Sequence, residues 1–413
     1  MPERNAVIVG GNRTPFVKAG GAYAQASNVA MLTAAIDGLL ARFGLSGEKV
    51  DEVVAGAVLK HTRDFNLTRE AVLGSALNPH TPACDLQQAC GTGLEAVIYA
   101  ANKIRLGQAE VMIAGGVDSA SDAPIVVSEG LRRALLRAGA ARTLPDRLKA
   151  LASVRPRDLK PVPPHVVEPR TGLSMGESQA LTTAKWGISR EAQDEFALAS
   201  HRNLARAWES GFFDDLVTPF LTVAKDSVLR PDTSLEALAR LKPVFGGAEG
   251  TMTAGNSTAL TDGAAVVLLA DEEYARSRNW PLLARVVDAQ VAAADYVTGA
   301  EDLLLAPTRA IPELLERNGL GLADFDFVEI HEAFAATVLA TLAALDRQGL
   351  TVDRSRLNVG GSSLAAGHPF AATGGRIVAS LAKMLAERGA GSRGLVSICA
   401  AGGMGVVAIL EAV

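Results

Sequence analysis

Only three of the 413 residues are cysteine, and no two of them form a CxxC pair. That excludes a disulfide scaffold and suits a reducing cytoplasm. No local His/Cys group has zinc spacing, so no structural metal is expected. Basic charge is not in excess: 40 Lys+Arg stand against 45 Asp+Glu, a net charge of −5, which argues against a dedicated nucleic-acid binder. Long apolar runs are also missing. The uncharged, strongly apolar stretch 394–410 has 17 residues and only reaches the lower limit for a membrane span. Its centre is Gly-Gly-Met-Gly with β-branched flanks, which reads as two buried strands joined by a turn. Residues 1–5 run directly into the strand-like Ala6–Val9, with no apolar segment and cleavage site of the targeting kind.

The composition that remains, 48% hydrophobic and 21% charged, is that of a globular protein with enough chain for two or three domain-sized units. Strand-like runs at Ala6–Gly10, Val53–Val58 and Val111–Gly116 alternate with helical patterns at 28–43 and 91–106. This is an α/β layout with a mostly parallel sheet. Residues 122–250 lose the strand signal. Between 132 and 160 they carry nine Arg or Lys and two acids, Asp146 and Asp158. The texture returns from 251, with strand candidates at Val266–Ala270, Ala284–Val291, Phe327–Ile330 and Gly394–Cys399. The boundaries read as 1–121 for a first α/β half completed by 251–272, 122–250 for an insertion, and 273–413 for a second half. An internal repeat links the halves: CGTGLEAVIYAANKI into VMIAGG, and FAATGGRIVASLAKM into LVSICAAGG.

Cys90 precedes a helix pattern whose N-terminal dipole and free N–H groups would lower a thiol's pKa, and Gly91 and Gly93 would let a substrate approach. The competing reading is an inert buried cysteine. His368, between Gly367 and Pro369, suits an aimed general base, against a capping role. Cys399 ends a strand before a Gly-rich turn whose N–H groups can hold an oxyanion, and it can serve as an acid/base; the alternative is simple packing. His331 and Glu332 end another strand, and His331 can donate a hydrogen bond to a water or carbonyl. Ala335 removes the second histidine of a zinc HExxH. TAGNSTALTDGAA at 253–265 suits a loop along which a long ligand runs, or an ordinary polar turn. Cys84 reads as structural.

A Gly-flanked Cys, then NST, HEAF, GHP and C-x-x-GG-x-G, in that order over essentially the whole chain, resemble the thiolases. The resemblance implies two five-stranded α/β halves packed in layers with an inserted loop domain. It implies Cys90 as the acyl-accepting nucleophile, His368 as its base and Cys399 as the acid/base at the acetyl-CoA carbon. It implies His331, where many thiolases have Asn, as sharing with His368 a first oxyanion site, partly through water. The N–H groups of Cys90 and Ala401 would form the second. Met175, Phe245 and Thr258 match positions lining the pantetheine and acyl channel. CAAGG replaces the commoner C-x-GGG, so Ala401 must tolerate that turn's backbone.

HEAF together with RPRDLKPVPP resembles the 3-ketoacyl-CoA thiolase subunits of fatty-acid β-oxidation multienzyme complexes. That implies CoA-dependent cleavage with coenzyme A as substrate, no further cofactor, a homodimer or homotetramer, and a hydratase/dehydrogenase α subunit as a potential partner. The basic stretch 132–160 would meet a partner subunit, an anionic membrane or the CoA phosphates, or be a solvated helix face. Two other readings stay open: a biosynthetic acetyl-CoA acetyltransferase, and a non-catalytic acyl-CoA-binding subunit. A decarboxylating ketoacyl synthase uses a single cysteine, and Cys399 argues against it.

Overall fold

The computed structural model describes residues 4–164 and 167–413. Nine strands trace the main sheet: β1 (Ala6–Arg13), β2 (Glu52–Ala55), β3 (Ala83–Asp85), β4 (Val111–Ser119), β5 (Thr261–Asp271), β6 (Ala284–Ala293), β7 (Phe327–Ile330), β8 (Arg393–Ala400) and β9 (Met404–Ala412). They run in the order β7-β8-β9-β6-β1-β5-β4-β2-β3, with the two-residue strand Val17–Lys18 added beside β5.

The duplication is written in the strand order. In the first half β3, β2 and β4 are parallel neighbours, followed by antiparallel β5 and β1. In the second, β7 and β8 are parallel, followed by antiparallel β9 and β6. The sheet is thus mixed, with antiparallel pairs predominating, which corrects the expectation of a mostly parallel sheet: β5, β6 and β9 run against their neighbours. The position equivalent to β3 is held by a single parallel bridge, Leu357 to Val328. The halves meet where Val7 and Ile8 of β1 pair with Arg285 and Ala284 of β6. The uncharged run 394–410 is the β8–β9 hairpin, and among the described residues no helix is long and apolar enough to cross a membrane.

Both faces of each half are covered, so the strands are apolar at successive positions and their residues alternate between two cores. Ile8, Met112, Val267 and Leu269 point into a central core that also receives Val396, Ile398, Val406 and Leu410 from the second half. Two helices fill that shared layer, α2 (Thr92–Arg105) and α5 (Ala372–Arg388), which are the helices of the sequence repeat. Val7, Val9, Val111 and Ile113 face outward onto α1 (Asn28–Phe43). Leu395, Val407 and Ile409 face outward onto α3 (Pro307–Asn318) and α4 (Ala335–Asp346). The layers are therefore helix, sheet, helix, sheet, helix.

α2 and α5 cross at their N-termini, where glycine is required. A Cβ on Gly93 would lie 2.5 Å from Ala371 O and 2.9 Å from Gly375 N, and one on Gly374 would lie 2.2 Å from Leu94 N. Gly93 thus serves helix–helix approach, which corrects its assignment to substrate access. Among the described residues, no strand of the main sheet lies between Ser119 and Thr261. That stretch instead holds helices, among them Met175–Lys185 and Arg190–Glu209, each with a serine N-cap. It also holds the short strand Pro243–Phe245.

Candidate active site

Cys90 stands two residues before α2, and the chain reaches it through Ala89, whose φ of 47° is left-handed. Alanine adopts that conformation at a cost, so the turn is held from outside. Thr92 Oγ1 donates to Ala89 O at 2.7 Å and accepts from Gln88 N–H at 2.8 Å. His368 stands four residues before α5. Gly367, at φ 95°, packs so closely on Thr261 that a Cβ would lie 2.6 Å from its methyl group. The His368 N–H then donates to Thr261 Oγ1 at 2.7 Å. The crossing of α2 and α5 thus joins two residues 278 positions apart: His368 Nε2 lies 3.2 Å from Cys90 Sγ. His368 Nδ1 lies 2.6 Å from Thr373 Oγ1, on the first turn of α5.

His331, just beyond β7, is fully buried, with its ring centroid 4.1 Å from that of His368. Its Nδ1 lies 2.8 Å from Ser363 Oγ, and its Nε2 has no hydrogen-bond partner among the described residues. The Cys90 sulfur and a ring nitrogen from each histidine lie within 4.8 Å of one another. Sequence spacing has no access to this grouping, because it arises from three distant segments. Glu332 turns away from the histidines, accepting from Ser200 Oγ, Asn358 Nδ2 and Leu364 N–H, and so fixes the segment that carries Ser363.

The electrostatics correct one expectation. Burial of the sulfur pushes the Cys90 thiol up to about 12, although the N–H groups of Ala401 and of Cys90 itself both act on it in favour of the thiolate. Asp118, buried beneath and accepting from Val58, Leu59 and Ala371 N–H groups, raises it further. The helix N-terminus therefore does not produce a resting thiolate. Burial, with the Arg376 guanidinium nearby, pushes His368 down to about 3, so at neutral pH a neutral thiol faces a neutral imidazole. Burial also lowers His331 well below the usual histidine range.

Cys399 is buried near the end of β8, and burial raises its thiol, with the Cys90 sulfur adding to the effect. The turn behind it puts its left-handed residues at Gly402 and Gly403, so Ala401 keeps an ordinary backbone, as the CAAGG variant requires. Glu168 from the 122–250 stretch straps this turn, accepting from Gly402 N–H at 2.7 Å and from Tyr296 OH at 2.8 Å. Cys399 shares an apolar cluster with Met175, Phe245, Phe334 and Leu303, which puts two of the expected channel residues beside it. Phe245 seats on Gly176 and meets Phe334 edge-on at 6.0 Å. Thr258 is half-buried, and its hydroxyl donates to Ser363 O at 2.7 Å. Of TAGNSTALTDGAA, the part from Thr261 onward is already β5. Cys84 lies in β3. Sequence reading missed Ser363, Thr373, Thr261, Arg376 and Glu168. Their only signal is closeness to GHP, to NST or, for Glu168, to the proline-rich stretch.

Two family descriptions match this chain end to end: the thiolase N-terminal domain over residues 6–273 and the thiolase C-terminal domain over residues 280–412. The chain belongs to the thiolase family. Proteins named 3-ketoacyl-CoA thiolase from Yersinia pestis (strain Pestoides F) and Yersinia pseudotuberculosis (serotype O:3, strain YPIII) are each 41% identical to it. Those alignments cover 98% of this chain and 96% of the relative. Among solved thiolase folds, the acetyl-CoA acetyltransferase of Bacillus anthracis superposes with a TM-score of 0.84 at 33% identity, covering 100% of this chain and 99% of that one. Human mitochondrial 3-ketoacyl-CoA thiolase gives 0.84 at 31%, covering 99% of each chain.

Proposed function

We propose that this thiolase is an acyltransferase that cleaves 3-ketoacyl-CoA with coenzyme A, giving acetyl-CoA and a shortened acyl-CoA. The observation that carries the reading is the 3.2 Å approach of His368 Nε2 to Cys90 Sγ, on a sulfur that also faces the N–H groups of Cys90 and Ala401. In this reading His368 takes the Cys90 proton as the sulfur attacks the 3-keto carbon. The resulting oxyanion is held by one donor set, and the bond between C2 and C3 then breaks. Cys399 gives its proton to the departing acetyl-CoA carbanion, leaving an acyl thioester on Cys90. The CoA thiol passes its proton to Cys399 and attacks that thioester. Cys90 leaves and recovers its proton from His368. The N–H groups of Cys90 and Ala401 form one oxyanion site, and His331 with His368 the other. Loss of one such donor typically costs about 10²–10³ in rate. The balance closes with coenzyme A as the sole co-reactant, so no further cofactor enters.

Met175, Phe245 and Thr258 line the pantetheine and acyl channel in this assignment, supported for Met175 and Phe245 by the apolar cluster that holds Cys399. Residues 1–121 with 251–272 form one catalytic half, 273–413 the other, and 122–250 the loop domain. The chain acts in the cytoplasm as a homodimer or homotetramer in β-oxidation. A pair of helices, Glu129–Ala140 and Leu144–Ala152, exposes Leu135, Leu136, Leu144 and Leu148 beside Arg133, Arg137, Arg147 and Lys149. An apolar and basic face of this kind suits docking to a hydratase/dehydrogenase subunit or to an anionic membrane.

The test is CoA-dependent cleavage of 3-ketoacyl-CoA substrates of four to sixteen carbons, followed by loss of enolate absorbance. Activity across the longer chains is expected. Activity confined to four carbons would move the assignment to acetyl-CoA acetyltransferase. Folded protein without activity at any length would favour an acyl-CoA-binding subunit.

A further inference from the structure

We infer that Ser363, oriented by Arg376, is a positioning residue that fixes His331 in the tautomer carrying its proton on Nε2. The argument follows hydrogen-bond direction. Arg376 is buried, and its guanidinium can only donate. It donates through one terminal nitrogen to Ser362 Oγ at 3.0 Å and to Ser363 Oγ at 3.1 Å. Ser363 Oγ therefore accepts from Arg376. Among the described residues the other hydrogen-bond neighbour of that oxygen is His331 Nδ1, at 2.8 Å, so the hydroxyl proton is paired only when it is given to Nδ1. His331 Nδ1 is then an acceptor, and the ring proton sits on Nε2.

That Nε2 is buried and has no partner among the described residues. A buried donor left unpaired costs free energy, which is recovered when a carbonyl, an oxyanion or a water arrives. The ring next to it works in the opposite sense. His368 keeps Nδ1 toward Thr373 Oγ1, which leaves its Nε2 lone pair for the Cys90 proton. In this assignment the two histidines, 4.1 Å apart, carry different tautomers: Ser363, which accepts from an arginine, gives its proton to His331, and Thr373 takes the Nδ1 proton of His368. Burial keeps both rings neutral, so the donor at His331 adds no charge beside the base. An asparagine at position 331 would carry a fixed N–H donor and need no such control, whereas a histidine needs it.

This inference rests on the thiolase reading for its effect on rate, and its first test does not. Nitrogen-15 spectra of the histidine rings of the full chain should show His331 protonated at Nε2, with that signal shifting toward the Nδ1-protonated or mixed form in Ser363→Ala. Protonation at Nδ1 in the unsubstituted protein would overturn the inference whatever the activity. The kinetic test is a double-mutant cycle. Ser363→Ala should lower kcat by on the order of tenfold or more with a smaller change in KM, below the 10²–10³ cost of losing a donor outright. In the His331→Asn background the same substitution should cost little, because the amide needs no tautomer control. Equal losses in both backgrounds would show a merely structural role and overturn the inference. Ser363→Thr, which keeps the hydroxyl, should restore both the spectrum and the rate. If no 3-ketoacyl-CoA were turned over by the unsubstituted protein, the functional reading would fall while the spectra still decided the tautomer.

Discussion

Cys90 sits under opposing influences, and their sizes decide its resting state. Two N–H groups and a helix start favour the thiolate, while enclosure of the sulfur opposes it and wins, leaving the thiol at about 12. In the proposed reaction the proton therefore moves during attack, onto a His368 ring that stays neutral down to about pH 3. Alkylation of Cys90 by a neutral haloacetamide should accordingly keep climbing from pH 7 to 9.5, by about tenfold per unit where free thiolate reacts. A plateau below pH 8 would mean a preformed thiolate–imidazolium pair and contradict this account. Following the labelled peptide by mass spectrometry separates Cys90 from Cys84 and Cys399. In that proposed reaction the same neutrality would let His331 donate without repelling the proton that His368 accepts.

At the scale of elements, the α2–α5 crossing carries the site. Each helix starts just after one of the two proposed catalytic residues, Cys90 and His368, and their glycines set how closely the helices approach. Gly93→Ala would force the crossing apart. A cost of about 1–3 kcal/mol is expected from overpacking, with a loss of activity larger than that of stability. Gly139→Ala is the control: it lies in the exposed helix Glu129–Ala140, where an added Cβ meets nothing within 4 Å. It should raise stability, by at most about 1 kcal/mol, and leave activity unchanged. Melting temperature and kcat measured on both variants check this. Equal activity in the two would show that the crossing does not set the Cys90–His368 distance.

Across the whole molecule, buried titratable groups shape the response to pH in opposite directions. Burial pushes His201 down to about 4, with Arg230 adding to the effect, so the unfolded chain takes up a proton between about 6.5 and 4 that the folded chain refuses. Its contribution to stability is therefore lost as pH falls through that window. Burial pushes Glu329 up to about 8, so the folded chain keeps a proton that the unfolded chain releases, and stability is lost as pH rises from about 4.5 through 8. Denaturant unfolding at several pH values should show His201→Gln gaining on the unsubstituted protein as pH falls from 6.5 to 4. Glu329→Gln should gain as pH rises from 4.5 to 8. Differences that stay constant with pH would contradict both assignments.

The sequence by itself determined the elements and their repetition. Short apolar runs specified β1, β4, β7 and β8 to within a few residues, and the helical patterns at 28–43 and 91–106 specified α1 and α2. The glycine-bearing repeat predicted two equivalent helices leading into two equivalent strands. These are local matters of period and capping, which neighbouring residues decide. Tertiary structure decided the rest. β3 is three half-buried residues without a period, and the second half's corresponding strand shrank to one bridge at Leu357. Cys90, His368, His331 and Cys399 were legible as candidates. Only the crossing of α2 and α5 set the 3.2 Å contact, and only burial set the sign of the thiol's shift, reversing what the helix start implied. Ser363 and Arg376 had no visible role in the chain, because the direction of a hydrogen bond depends on which donors and acceptors the fold encloses together.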